Sequence, residues 1–123
     1  MIDLHKSEFL KLRQVQNEIF AGAVHPLLVE DERIITSYQS VRDGVVFTDR
    51  RVFFVVPKGL SGRRQDITAL PYRSIRAFSH LQTALDVDRE VLLDVEGGGS
   101  VKLNFLPYVD TAWLCRLLGQ YLL

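Results

Sequence analysis

The chain has 123 residues, and its 15 basic side chains balance 15 acidic ones, so the formal net charge is zero. This length fits a single domain, and the absence of a positive bias argues against nucleic-acid binding. With one cysteine and three scattered histidines, we expect no disulfide, no structural metal and no cofactor. The N-terminus lacks the pattern of a signal peptide, and the longest uncharged run, residues 21–29, is too short to cross a bilayer, which predicts a cytoplasmic protein.

The N-terminal segment carries apolar residues at helical spacing. Gly22 and Pro26 then supply signals that end a helix. This pattern predicts an amphipathic helix over residues 2–20, followed by a linker, so that residues 1–26 form an N-terminal unit. The apolar stripe, taken at about 100° per residue, comprises Ile2, Phe9, Leu12, Val15, Ile19 and Phe20.

Beyond residue 32 the chain changes to short segments of β-branched and aromatic residues separated by turn signals. Such spacing is typical of an antiparallel meander. The last two segments alternate clearly between apolar and polar residues around the glycines at 97–99, which indicates a hairpin. The seven predicted strands span residues 33–41, 45–48, 51–56, 64–70, 75–81, 90–96 and 101–105.

After Pro107 the apolar residues return to helical spacing, and Asp110 would complement the dipole at the start of a C-terminal helix. A meander of this kind has a core only if the sheet curls, and a terminal helix can then plug its open end. We therefore predict a mainly β fold, a partly open barrel or sandwich closed by the C-terminal helix. The apolar stripe of that helix comprises Trp113, Leu114, Leu117, Leu118 and Tyr121.

Two stretches of the chain resemble the bacterial pleckstrin-homology-like (PH-like) family. They contain Phe-Thr-Asp-Arg-Arg at residues 47–51 and Leu-Pro-Tyr-Arg-Ser-Ile at residues 70–75. The resemblance runs from about residue 27 to 122, so residues 27–123 are assigned to a PH-like domain. It implies seven antiparallel strands in two near-orthogonal sheets, capped by the C-terminal helix. It also implies a non-enzymatic module that forms a cyclic homo-oligomer, for which a pentamer is one candidate, and presents a hydrophilic surface to a protein partner.

Charge is distributed unevenly along the chain. Residues 42–76 carry a local charge of +5, and residues 77–100 carry −4. In a ring, such opposite patches could meet head to tail, because a cyclic interface joins two different surfaces of the same subunit. The alternative is a set of solvated turn charges that never form a contiguous patch.

Four arginines, Arg50, Arg51, Arg63 and Arg64, are candidates for binding an anion or a partner. The glycine-containing loop at residues 59–64 lacks the Walker pattern, so simple loop geometry is its other explanation. The basic cluster with which eukaryotic PH domains bind phosphoinositides has no clear counterpart here. The alternative function is therefore a peripheral membrane or anionic-ligand binder that uses these four arginines.

Phe53 and Phe54 are adjacent in a predicted strand, so their side chains point to opposite faces. One of them needs cover from the N-terminal helix or from another subunit, which makes both candidate oligomer contacts. Asp86 and Asp88 are further candidate oligomer contacts on the acidic side. The two carboxylates alone would make a poor calcium site.

No catalytic residue is predicted. Ser79 and His80 are neighbours in a predicted strand and point to opposite faces, so they do not form a nucleophile and its base. Cys115 has no histidine near it in the sequence.

Overall fold

The computed structural model describes residues 1–61, 63–82 and 89–123, which form a sheet with a helix near each end of the chain. All seven predicted strands and the C-terminal helix are present, and an eighth strand precedes them. The strands are β1 (Lys6–Val15), β2 (Ile34–Gln39), β3 (Gly44–Thr48), β4 (Arg51–Lys58), β5 (Arg64–Pro71), β6 (Ile75–Gln82), β7 (Arg89–Val95) and β8 (Gly99–Phe105). The helices are α1 (Glu18–Val24) and α2 (Thr111–Leu122), with single 3-10 turns at His25–Leu27 and Tyr72–Ser74.

The described strands form one hydrogen-bonded sheet in the order β5-β4-β3-β2-β1-β8-β7-β6. Each neighbouring pair is antiparallel except β1 and β8, which are parallel. The expected two sheets are therefore joined through β1. The strand count is eight instead of seven because the N-terminal segment contributes a strand.

An N-terminal helix is present, but its predicted position over residues 2–20 is wrong, because most of this segment is β1 and the helix, α1, begins only at Glu18. The first half of β1 pairs with β8 and its last residues pair with β2, with a register shift between Phe9 and Leu12. Lys11 has a φ of 55° at this irregularity, and such a bulge lets one strand pass from one half of a sheet to the other. Phe9 and Leu12 both remain buried. The bulge thus places two core residues three positions apart, which imitates the spacing of a helix.

The main core lies inside the curled sheet and is closed by α2. Asp110 accepts a hydrogen bond from the backbone N–H of Trp113 at 3.0 Å and so caps this helix. Leu114 and Leu118 are fully buried against the sheet. Because both the Asp110 cap and the burial of Leu114 and Leu118 match the sequence pattern, the predicted C-terminal helix is confirmed.

A second, outer cluster lies on the opposite face of β3 and β4, under α1. The Phe20 ring of α1 packs onto Gly44, where an added Cβ would lie 2.5 Å from the ring. Phe53 belongs to this outer cluster and Phe54 to the main core, with exposures of 1% and 0%. Neither side chain is available to a second subunit, which corrects their assignment as oligomer contacts. The outer cluster comprises Phe20, Val24, Val46, Phe53 and Val55.

Candidate interaction surfaces

The four candidate arginines do not form one patch. In the β4–β5 hairpin, Arg51 pairs with Pro71 and Lys58 pairs with Arg64. These two pairs are seven positions apart along the strand, a distance of about 23 Å at the usual rise per residue. Arg50 and Arg51 therefore lie at one end of the hairpin, and Arg63 and Arg64 lie at the other.

Arg51 is held in an internal ion pair with Glu32. Its Nε and Nη2 atoms donate to the two carboxylate oxygens of Glu32 at 3.0 and 2.8 Å. The Glu32 side chain is fully buried and also accepts hydrogen bonds from Thr48 Oγ1 and from the Val29 N–H. Burial by itself raises the pKa of Glu32, but the bonds from Arg51, Thr48 and Val29 outweigh it and lower the pKa to about 2.

The same arginine ties the segment after α1 to the sheet. Arg51 Nη2 donates to the carbonyl of Leu27 at 2.9 Å, and its guanidinium lies 4.7 Å from the centre of the Phe53 ring. Arg51 is therefore a structural residue, which corrects its assignment as an anion-binding group. Sequence reasoning missed Glu32 because its partner lies 19 positions away and no local pattern joins the two.

The other end of the hairpin brings two loops together. Arg42 in the β2–β3 turn donates through Nη2 to the Gly59 carbonyl in the β4–β5 loop at 3.0 Å. Two aliphatic side chains project there, Val41 with 87% exposure and Leu60 with 105%. We call this region the cationic loop end, and it comprises Val41, Arg42, Lys58, Leu60, Arg63 and Arg64.

The acids near the cationic loop end are partly neutralised. Asp66 forms an ion pair with the N-terminal ammonium at 2.5 Å, and the hydrogen bond from that ammonium lowers the pKa of Asp66. Asp43 is half-buried, and burial raises its pKa while Arg42 and Lys58 pull it down. Basic groups therefore dominate the exposed charge of these two loops. Sequence reasoning missed the exposed Val41 and Leu60, since apolar residues beside turns carry no signal of their exposure.

The sheet has two edge strands, β5 and β6, at opposite ends of the strand order. Residues Ser79, His80, Leu81 and Gln82 of β6 are all exposed. A shallow depression of about 260 Å³ adjoins this edge on the outer face of β6, β7 and β8. It is lined by Ser79, Leu81, Glu90, Leu92 and Lys102, and Lys102 Nζ lies 3.7 Å from Glu90.

The sequence profile of the bacterial PH domain family matches residues 3–122. The chain belongs to the bacterial PH domain family. It is 36% identical over 73 residues to the uncharacterized protein YjqA of Bacillus subtilis, and the aligned region spans 58% of each chain.

The fold of this PH domain matches solved structures of proteins from two Shewanella species. A protein with a PH domain from Shewanella loihica superimposes with a TM-score of 0.81 at 21% identity, covering 93% of this chain and 99% of that one. A PH domain from Shewanella amazonensis superimposes with a TM-score of 0.68 at 26% identity, covering 89% and 90%. The predicted PH-like fold is thereby confirmed.

Two side chains of chemically reactive types, His80 and Cys115, lie in the described part of this PH domain. His80 Nε2 lies 2.8 Å from Thr111 Oγ1 and so links β6 to the start of α2. Burial raises the pKa of the half-buried Cys115 thiol, which makes a neutral thiol the favoured form. Within the described ranges, no group of three or more His, Cys, Asp or Glu side chains lies close enough to hold a metal ion.

Asp86 and Asp88, the predicted acidic contacts, lie outside the described residues. No helix in the described part of this PH domain is both long and apolar enough to span a bilayer.

Proposed function

We propose that this PH domain is a cytoplasmic, non-enzymatic binding module that assembles into a cyclic homo-oligomer. The surface that the subunits form together would then bind a protein partner. The observation that carries the proposal is the pair of exposed edge strands, β5 and β6, at the two ends of the sheet. Membership of a family of PH domains supports a binding role over a catalytic one.

An exposed edge strand presents unpaired backbone groups and readily accepts another strand. The β6 edge carries one charged residue, Arg76, and contains no proline, so it lacks the usual protection against pairing. The β5 edge carries charge at its start and ends at Pro71. Since the two edges differ, a contact between β5 of one copy and β6 of the next is head to tail, and such contacts generate a ring when the rotation closes.

The charges of the edge strands themselves do not set this orientation. Strand β5 carries Arg64 and Asp66, which cancel, and the charged side chain of β6 is Arg76. The local charges of +5 for residues 42–76 and −4 for residues 77–100 therefore belong to the longer segments around these strands, and their meeting across a ring interface stays a prediction.

Light scattering on the purified chain tests the proposal. We expect a mass several times the 14.1 kDa mass of one chain, with a pentamer as one candidate. Leu81→Lys places a charge on the β6 edge and should shift the protein towards the monomer. The matched control is Leu10→Lys on β1, because Leu10 and Leu81 are equally exposed, at 52% and 53%, but β1 lies inside the sheet order.

A monomer at micromolar concentration would rule out the ring. An oligomer that survives Leu81→Lys as well as it survives Leu10→Lys would rule out the β6 edge as its interface. Pull-down experiments with the intact oligomer would then search for the protein partner.

A further inference from the structure

The outward side of α2 carries little charge for a helix at the surface. Of the 12 residues of Thr111–Leu122, one is charged, Arg116, and the preceding Asp110 is engaged in capping the helix. A surface helix ordinarily has charged and polar residues along its exposed side. The exposed residues of α2 are instead Ala112, Arg116 and Gln120, so the helix presents a single cation on a largely uncharged flank.

A depression of about 410 Å³ lies along this flank. We call it the α2 groove, and its lining comprises Trp113, Arg116, Leu117 and Gln120. These positions are i, i+3, i+4 and i+7 of one helix, so their side chains lie on the same side. Seven residues of helix rise by about 10 Å, which is the length of about three residues of extended chain. The groove therefore has the length of a short peptide segment.

The lining side chains offer three kinds of contact. Half-buried Trp113 and buried Leu117 provide an apolar surface. The Gln120 amide both donates and accepts, as a peptide backbone requires of its partner. The Arg116 guanidinium suits a carboxylate, which it binds through two parallel N–H groups. Among the described residues Arg116 has no hydrogen-bond or ion-pair partner, so its donors are available to a ligand.

The charge of the α2 groove discriminates between classes of ligand. A nucleic acid or an anionic bilayer is bound by several cations acting together, whereas this groove holds one. One guanidinium beside an indole ring is complementary to one carboxylate beside an apolar side chain. Trp and Arg are also among the residues most enriched at the energetic centres of protein interfaces. These features favour a protein segment as the ligand.

We propose that the α2 groove binds a short protein segment that carries a carboxylate beside an apolar side chain. The carboxylate pairs with Arg116, the apolar side chain lies against Trp113 and Leu117, and Gln120 bonds the backbone of the segment. In an extended segment, the side chains of residues i and i+2 lie on one face about 7 Å apart. A leucine and a glutamate separated by one residue are thus the simplest ligand. Binding goes beyond the proposed ring and does not require it, because every lining residue belongs to one subunit.

Fluorescence of Trp113, the one tryptophan of the chain, tests the proposal. The probe is the peptide acetyl-Gly-Leu-Ser-Glu-Gly-amide, titrated to millimolar concentration into the full chain. We expect a saturable change in the Trp113 emission. Two matched peptides, one with Lys in place of Glu and one with Ser in place of Leu, should each bind about tenfold more weakly.

Variants of the chain locate the binding. Arg116→Gln should lower the affinity for the probe about tenfold, and Gln120→Ala about threefold, because the first removes a charged donor and the second a neutral one. Arg116→Glu should reverse the preference, so that the Lys peptide binds more tightly than the probe. The matched control is Arg64→Gln. Arg64 is also exposed, and it lies at the opposite end of β5 from Tyr72, which stacks on Tyr121 of α2.

Four results would overturn the proposal. The first is no saturable change in Trp113 emission with the probe, and the second is an equal change with either matched peptide. The third is an unchanged affinity in Arg116→Gln. The fourth is an emission that changes with protein concentration alone, which would assign the groove to a second copy of the chain. Light scattering tests the proposed ring separately, so the failure of one proposal is distinguishable from the failure of the other.

Discussion

The two apolar clusters of this PH domain share strand β4 but are closed in different ways. Phe54 faces inward and stacks on Phe9 with ring centres 5.2 Å apart, inside a core enclosed by the sheet and α2. Phe53 faces outward and is covered by α1, a helix of seven residues. Isolated helices of that length are unstable in water, so α1 depends on the contacts that it makes with the sheet.

This difference implies two levels of stability within one small domain. Opening the main core requires loss of the whole sheet, whereas the outer cluster can open when α1 detaches. Two features oppose detachment: the packing of the Phe20 ring on Gly44 and the ion pair of Glu32 with Arg51. Local opening of this kind costs less free energy than global unfolding and is visible by hydrogen exchange.

The largest expected effect comes from truncating the two phenylalanines. Phe54→Ala should lower the free energy of unfolding by about 3–5 kcal/mol, because it leaves a cavity that the enclosed core cannot fill. Phe53→Ala should cost about 2 kcal/mol, since α1 can settle into part of the space. Urea denaturation of both variants measures the difference, and an equal or reversed ranking would contradict the proposed contrast.

An intermediate effect is expected at Glu32. Its folded pKa of about 2 lies below the ordinary value of 4.5 for a glutamate, so the buried carboxylate contributes stability that is fully present above about pH 4.5. That contribution, about 3 kcal/mol, is lost as the pH falls towards 2. Glu32→Gln should remove a similar amount at pH 7 and flatten the acid dependence of the unfolding free energy.

Urea denaturation at pH 7 and at acid pH measures this effect, with Glu30→Gln on the exposed neighbouring carboxylate as the matched control. Hydrogen exchange adds a second readout, because Arg51 binds the Leu27 carbonyl and covers Phe53. Amides of α1 should exchange faster in Glu32→Gln. Unchanged exchange of the α1 amides would show that the ion pair does not hold the outer cluster closed.

The smallest effects come from two glycines that act on α1 in opposite directions. A Cβ at Gly44 would lie 2.5 Å from the Phe20 ring, so Gly44→Ala should displace Phe20 and cost about 2 kcal/mol. A Cβ at Gly22 meets nothing within 4 Å, so Gly22→Ala should stabilise α1 by about 0.5–1 kcal/mol. Thermal unfolding and α1 hydrogen exchange measure both, and shifts of the same sign would contradict this account of how α1 is held.

The strands from β2 to β8 were predictable because each is bounded by its own turn signals and carries its own local pattern. The N-terminal segment was not, since its bulge at Lys11 changes the spacing of Phe9 and Leu12 from two to three. Alternation of apolar and polar residues with a period of two identifies a strand only where that strand is regular. The parallel partner of β1, strand β8, lies about ninety positions away in the chain, and no local sequence pattern indicates this pairing.

The candidate sites were predictable only as residue types. The arginines at 50–51 and 63–64 are equally basic in the sequence, but the hairpin register separates them and the ion pair with Glu32 engages the Arg51 guanidinium in internal contacts. The exposure of Val41 and Leu60 likewise depends on which loops become neighbours.

The sequence alone therefore determined the number and order of the later strands, the C-terminal helix and the balance of charge, because these depend on residues close together in the chain. Tertiary structure alone decided that the N-terminus joins the sheet, that α1 covers Phe53, and which arginines remain exposed. Those features depend on contacts between distant segments, whose free energy arises only when the whole sheet has formed.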